Sequence, residues 1–289
     1  MTRKIGIFSD VHGNYTALKA VYEDALALGV DDFWFLGDLF SPGPGAQDLW
    51  ELFTQMNPSY CLRGNWDDLL VNSIAGRLPT DKESKIYFAK LAQTLAKRLA
   101  PEVVMEIERW PLAKQVELAG LKVGLSHNLP TFNHGQALYP LADQANFDQL
   151  FELKPDLDLA VYAHVHHPLM RYSSQEQLIF NPGSVGQPFS QHPIFQADLR
   201  ANYLVLTLAE KKLTEVDFRK VDYDHQAELK RAQAVELPYL DLYEEQLVSG
   251  RIHSHDYQLL AKINTERGYR QDVLAYNQAK NVLKIKKTV

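Results

Sequence analysis

The 289-residue sequence predicts an α/β fold, and three features carry that expectation. Short apolar runs recur along the chain, continuous rather than alternating, as in strands buried on both faces of a parallel sheet. Stretches with apolar residues at helical spacing lie between the first of these runs. Five runs end on a residue of a type that binds metal ions.

The first run, KIGIFSD, ends in Asp10, with His12 two positions on. A helix is expected next: Leu18, Val21, Tyr22, Ala25 and Leu26 share one face, Asn14 is the N-cap and Gly29 the stop. The second run, DDFWFLGD, ends in Asp38, and a second helix places Leu49, Leu52, Phe53 and Met56 on one face before Pro58 closes it. The third run, SYCLRGN, ends in Asn65. Asp10, Asp38 and Asn65 are spaced by 28 and 27 residues, each the length of one βαβ unit. Right-handed crossovers then put these polar ends, and with them those of the two later runs, on the carboxyl edge of one sheet, where α/β folds bind ligands.

From Asn65 to about residue 100 the pattern is mainly helical, most clearly in TDKESKIYFAKLAQTLAKRLA. Strand signals return at 115–126, 157–163, 177–181, 202–208 and 214–221. KVGLSH ends in His127, and DLAVYAH ends in His164 with His166 after it. The chain turns helical and polar again over 224–285. The expected division is a core domain over residues 1–222 and a helical cap or arm over 223–289. In the latter, Tyr239, Leu242, Tyr243 and Leu247 form an apolar face that packs on the core, caps the site or makes a dimer contact.

Apolar residues at 46% and charged residues at 23% describe a globular chain able to bury a substantial core. A net charge of −6 with no basic stripe disfavours nucleic acid as a partner. The lysines of the tail, Lys284, Lys286 and Lys287, are read as solvated. Cys61 is the one cysteine, so disulfides and thiolate metal sites are excluded, and any metal must be held by His, Asp, Asn or Glu. The N-terminus lacks the layout of a signal peptide, and no apolar run approaches the ~20 residues of a membrane span. A cytoplasmic location is expected.

Asp10, His12, Asp38, Asn65, His127, His164 and His166 acquire meaning together. Each alone suits a turn or a buried polar contact, and His-x-His on an extended segment points both rings the same way. Jointly, buried carboxylates and imidazoles converging without a cation are costly. Seven ligands exceed the needs of one ion, whereas two ions sharing a carboxylate fit, with Asp38, in the middle of the order, as the bridge. Two divalent ions bring four positive charges and two aspartates return two, leaving a site suited to an anionic substrate and a metal-bound hydroxide. A pair of ions about 3.5–4 Å apart stabilises in-line phosphoryl displacement. Nitrogen and oxygen ligands without sulfur fit Mn, Fe, Zn, Co or Ni.

The stretches SDVHGN, GDLFSPGP, GNWD, SH and AHVHHP, followed by NPGSVGQP, resemble in order the motifs of the calcineurin-like metallophosphoesterases. The resemblance spans residue 5 to about 222. It implies a four-layer α-β-β-α sandwich, to which the sequence adds a C-terminal helical appendage. It also implies that Asp10, His12 and His166 hold one ion and that Asn65, His127 and His164 hold the other. Asp38 bridges them, Asp38, Asn65 and His127 serve catalysis, and Asn14 contacts phosphate. One position departs from the family: where Gly-Asn-His is usual, Trp66 stands in place of the histidine that assists the leaving group. His134, in FNHG, is the substitute considered from a neighbouring loop, and Trp66 itself offers a face for a nucleobase. Arg63 is expected to pair with a structural carboxylate rather than with phosphate.

The expected function is therefore hydrolysis of phosphodiester or phosphoanhydride bonds in small nucleotides, as in the bacterial diadenosine tetraphosphate hydrolase-like branch. Two divalent transition-metal ions, Mn or Fe first, are the expected cofactors. The alternatives are a nuclease acting on ends, a phosphomonoesterase or protein phosphatase, and last a non-catalytic scaffold.

Overall fold

The computed structural model describes residues 2–288, with side-chain surroundings described as far as Val282. The tail residues Lys284, Lys286 and Lys287 thus fall outside the described side chains. Chain order is β1 (Arg3–Phe8), α1 (Tyr15–Ala27), β2 (Asp32–Phe35), α2 (Gln47–Met56), β3 (Tyr60–Cys61), α3 (Asn65–Ile74), α4 (Glu83–Leu95) and α5 (Pro101–Arg109). There follow β4 (Ala113–Leu118), β5 (Leu121–Ser126), α6 (Gln144–Asp148), β6 (Leu159–Val161), β7 (Leu169–Tyr172), β8 (Leu178–Asn181) and α7 (Pro193–Gln196). β9 (Ala201–Ala209), β10 (Lys212–Val221), α8 (His225–Ala234), α9 (Leu240–Ser249), α10 (Tyr257–Glu266) and α11 (Tyr269–Thr288) complete it.

The strands form two five-stranded sheets, β10-β9-β1-β2-β3 and β4-β5-β6-β8-β7. Each has a parallel centre with antiparallel additions: β1, β2 and β3 run parallel, β9 opposes β1, and β10 opposes β9 and so runs with β1; β5, β6 and β8 run parallel while β4 and β7 oppose them. The continuous apolar runs are explained by burial on both faces. Ile5, Ile7, Trp34, Leu36, Leu204 and Leu206 of the first sheet meet Val123, Leu125, Val161 and Phe180 of the second. The other face of the first sheet, with Phe8, Phe33 and Phe35, packs on Leu18 and Val21 of α1 and on Leu49 and Phe53 of α2. Ala160 and Ile179 of the second sheet pack on Phe147, Leu150 and Phe151 in and after α6. The layers are α-β-β-α, as the resemblance implies.

Three local expectations are corrected. The five polar strand ends lie on two sheets rather than one: Asp10, Asp38 and Asn65 follow strands of the first, His127 and His164 follow strands of the second. The signal at 115–126 is a hairpin, turned at Ala119 and Gly120, both with positive φ. His164 and His166 stand on no extended segment: their φ angles are 67° and 58°, so period-2 alternation does not orient them.

The C-terminal helices close on α4. Tyr239, Leu242, Tyr243 and Leu247 are buried with Tyr87 and Leu91 of α4 and with Leu229 and Leu260. The apolar face read from sequence is thus consumed inside the chain and is unavailable as a dimer contact. Among the described residues no helix is long and apolar enough to cross a membrane.

Candidate metal centre

Loops at the strand ends are stitched together by main-chain bonds. Asp10 N–H donates to Gly37 O (2.9 Å), His12 N–H to Asp38 O (3.0 Å) and Gly13 N–H to Leu39 O (2.9 Å). Five of the seven ligand-type residues, Asp10, His12, Asp38, His164 and His166, have left-handed backbone with φ between 52° and 67°. Asp and His tolerate this region better than most residues, yet each instance costs on the order of 1–3 kcal/mol. The surrounding bonds hold it: the carbonyl of Asp10 accepts from Ser184 Oγ (2.8 Å) and Gly186 N–H (3.0 Å). NPGSVGQP therefore acts as a brace behind the first motif.

All seven side chains come together. His12 Nε2 and His166 Nε2 are 3.2 Å apart, and Asp10 Oδ1 lies 3.2 Å from His166 Nε2, 3.7 Å from His12 Nε2 and 4.0 Å from His127 Nε2. On the other side, His127 Nε2 lies 3.3 Å from Asp38 Oδ2 and 3.1 Å from Asn65 Oδ1, with the His164 ring 5.2 Å away between centroids. The donors fall into two groups, Asp10–His12–His166 and Asp10–Asp38–His127. Asp10 is common to both, so in this geometry it, and not Asp38 alone, lies between the two halves.

The tautomers show what the centre lacks. His12 Nδ1 donates to Ser41 O (2.9 Å), His127 Nδ1 to Leu36 O (2.7 Å) and His166 Nδ1 to Gln187 O (2.7 Å). A carbonyl only accepts, so Nδ1 carries the proton and Nε2 turns its lone pair inward. Lone pairs of His12 and His166 then face each other and Asp10 Oδ1, which is buried without a hydrogen-bond partner. Such an arrangement needs a proton or a metal ion at its centre. The donor set fits divalent transition metals.

Proton affinities follow the same logic. Burial opposes ionisation of Asp10, but His166 and His12 outweigh it and hold the carboxyl well below its ordinary range. Burial disfavours the His127 imidazolium, yet Asp38 and Asp10 raise it to about 9. His164, buried beside His127, is lowered to about 4. The protein stores extra cation affinity in the centre, spread unevenly over its imidazoles.

Asp67, which sequence reasoning passed over, organises the bridge region. It is 1% exposed, and its Oδ2 accepts from Asp38 N–H (2.8 Å) and Gly64 N–H (2.9 Å). Burial, then Asp38, pushes its carboxyl up to about 7. The available signal was local: an aspartate at the third position of a helix reaches back to the residue before it. Asp38 Oδ1 in turn accepts from Trp66 N–H (2.7 Å).

The remaining candidates separate. Asn14 is the N-cap of α1, accepting from Ala17 N–H (3.0 Å) and donating to Tyr223 OH (3.1 Å); it is fully buried with both ends of its amide engaged. Trp66 is half-buried, its ring edge-on to His12. His134 is exposed on a loop but lines the same cleft as Asn65, Trp66 and His164, stacked near Phe132. Arg63 Nε pairs with Asp68 Oδ1 (2.8 Å), as expected of a structural arginine.

Known proteins give the same picture. The sequence profile described as the calcineurin-like phosphoesterase superfamily domain matches residues 3–211. An uncharacterized protein of Methanocaldococcus jannaschii is 26% identical over 241 residues, covering 76% of this chain and 88% of its own length. A metallophosphoesterase from Sphaerobacter thermophilus, 26% identical, superposes with a TM-score of 0.63 over 86% of this chain and all of its own. A hypothetical protein from Pyrococcus horikoshii, 16% identical, shares the fold with a TM-score of 0.70 over 86% of this chain and 98% of its own.

Proposed function

The chain belongs to the calcineurin-like phosphoesterase superfamily and is a metal-dependent hydrolase, and on that premise we propose that it cleaves phosphodiester or phosphoanhydride bonds of small nucleotides, such as diadenosine tetraphosphate. Two ions are proposed, one held by Asp10, His12 and His166, the other by Asn65, His127 and His164, with Asp38 bridging. Bound there, divalent ions lower the pKa of water and place positive charge against phosphate oxygens.

The chain's own residues do the rest. Backbone carbonyls of Ser41, Leu36 and Gln187 fix three imidazoles in the ligating tautomer. Asp67 and the Trp66 N–H hold Asp38 in place. Burial of Asp10, His12, Asp38 and His127 keeps bulk water from screening the reacting charges.

The observation that carries the bond preference is Trp66 at the position where the family's histidine assists departure. Expelling an alkoxide needs a proton, whereas phosphates and aryl oxides leave without one. The mild net charge of −6 supports a small substrate over a nucleic-acid strand. A panel assayed with added Mn tests this: dinucleoside polyphosphates and p-nitrophenyl phosphodiesters should be cleaved much faster than glycerol phosphate or sugar phosphates. Preference for the alkyl monoesters would refute it.

A further inference from the structure

A cleft of about 590 Å³ opens beside the metal centre, with Asn65 and His164 in its wall. Its apolar part comprises Leu69, Leu78 and two aromatic residues: the half-buried Trp66 and Phe88 rings meet edge to face, with centroids 4.8 Å apart. Trp66 touches His12 of the centre on one side and Phe88 on the other. Lys85, one helical turn before Phe88 on α4, lines the same cleft. Lys85 and the two aromatic residues therefore share the lining of one cleft with the proposed ligands Asn65 and His164.

Its charges are one-sided. The single carboxylate in the lining, Asp68, is already engaged by Arg63 Nε at 2.8 Å and by Asn133 Nδ2 at 2.7 Å. Two other cations on or near α4 are paired, Lys90 with Asp272 and Arg270 with Glu83. Lys85, half-buried, has no carboxylate partner among the described residues. With the one carboxylate of the lining engaged elsewhere, the Lys85 ammonium is the cation that an anionic ligand group in the cleft would meet. The segment between α9 and α10 supplies His255 to the wall, so the C-terminal helices help to build the cleft.

We infer that this cleft receives the leaving-group part of the substrate, and that Lys85 selects leaving groups combining a planar ring with a second negative charge, as a nucleoside phosphate does. The inference rests on the proposed phosphoesterase activity and adds a specificity residue to it. Lys85 is not one of the seven proposed ligands; its contribution is to substrate affinity through the distal anion.

The test compares two substrates with added Mn: bis(p-nitrophenyl) phosphate, whose leaving group has no second charge, and diadenosine tetraphosphate, whose leaving group has several. Lys85→Met should lower kcat/KM for the tetraphosphate about tenfold, mainly through KM, the size of one hydrogen bond to a charged group. It should leave the p-nitrophenyl diester nearly unchanged, and Lys85→Arg should restore most of the loss. Equal loss on both substrates, or loss on neither, overturns the role of Lys85. If the wild type cleaves the p-nitrophenyl diester but not the tetraphosphate, the cleft inference fails while the phosphoesterase reading stands. If it cleaves neither, the phosphoesterase reading itself fails.

Discussion

Trp66 lies edge-on to His12, their ring centroids 5.2 Å apart and their planes at 76°, so an indole occupies the rim of the metal centre where an imidazole would serve as proton donor. Its backbone N–H meanwhile holds Asp38 Oδ1 at 2.7 Å. Side chain and main chain have separate duties, and substitution changes only the first.

Trp66→His should therefore keep the metal centre and gain alkyl monoesterase activity. Hydrolysis of glycerol phosphate should rise by about 100-fold, the lower end of what a positioned general acid contributes. Steady-state rates on glycerol phosphate and on a p-nitrophenyl diester decide it. An unchanged ratio of the two would show that Trp66 does not set the preference.

Gly64 approaches Asp38 so closely that an added Cβ would sit 2.1 Å from Asp38 Oδ1 and 2.8 Å from its main-chain nitrogen. Gly64→Ala must push that carboxylate away. Activity should fall at least about 100-fold while the fold persists, since a displacement near 1 Å at a reacting centre costs that much. Circular dichroism together with the rate separates this outcome from unfolding; full activity would refute the close approach.

Removing single ligands distinguishes the two halves of the centre. Asp38→Ala should abolish binding of both ions and nearly all activity, while His166→Ala should weaken one ion selectively. Metal content after dialysis reads this directly. Equal loss of both metals in His166→Ala, with retention in Asp38→Ala, would overturn the assignment and favour Asp10 as the shared carboxylate, as the two donor groups suggest.

Asp24 ties α1 to the first sheet through Arg219 (2.9 Å) and Tyr203 (2.6 Å). Burial alone would raise its pKa, but Arg219 and Tyr203 lower it below the usual carboxylate value. A depressed folded-state pKa contributes stability that is present above the unfolded value of about 3.9 and fades as pH falls through the folded one. Because the group is partly solvated, Asp24→Asn should cost only about 1 kcal/mol at pH 7. The melting-temperature difference from wild type should shrink as pH falls below the unfolded value and vanish once it passes below the folded one. A difference that persists in acid would show that packing, not charge, is lost.

The seven ligand-type residues were legible because each closes or follows an apolar run, and a strand end is where α/β folds expose function. Which sheet each strand joins was not legible: DFWF and LAV look alike, and only pairing partners far along the chain divide them. His164 and His166 misled through their spacing, because a left-handed backbone breaks the period-2 rule that spacing assumes. Asp67 was hidden inside GNWD, where its partner Asp38 lies 29 residues away. Lys85 looked like any lysine on an amphipathic helix; its place in the wall of the cleft beside the metal centre singles it out, and that is a property of three dimensions.

The most direct test is the metal stoichiometry of the protein, measured by elemental analysis after loading with Mn and removal of free ions. Three imidazole lone pairs and an unpartnered buried carboxylate oxygen pointing into one centre predict two divalent ions per chain. They also predict activity that chelation abolishes and Mn restores. A protein that binds no transition metal and gains no activity from added Mn would contradict the account.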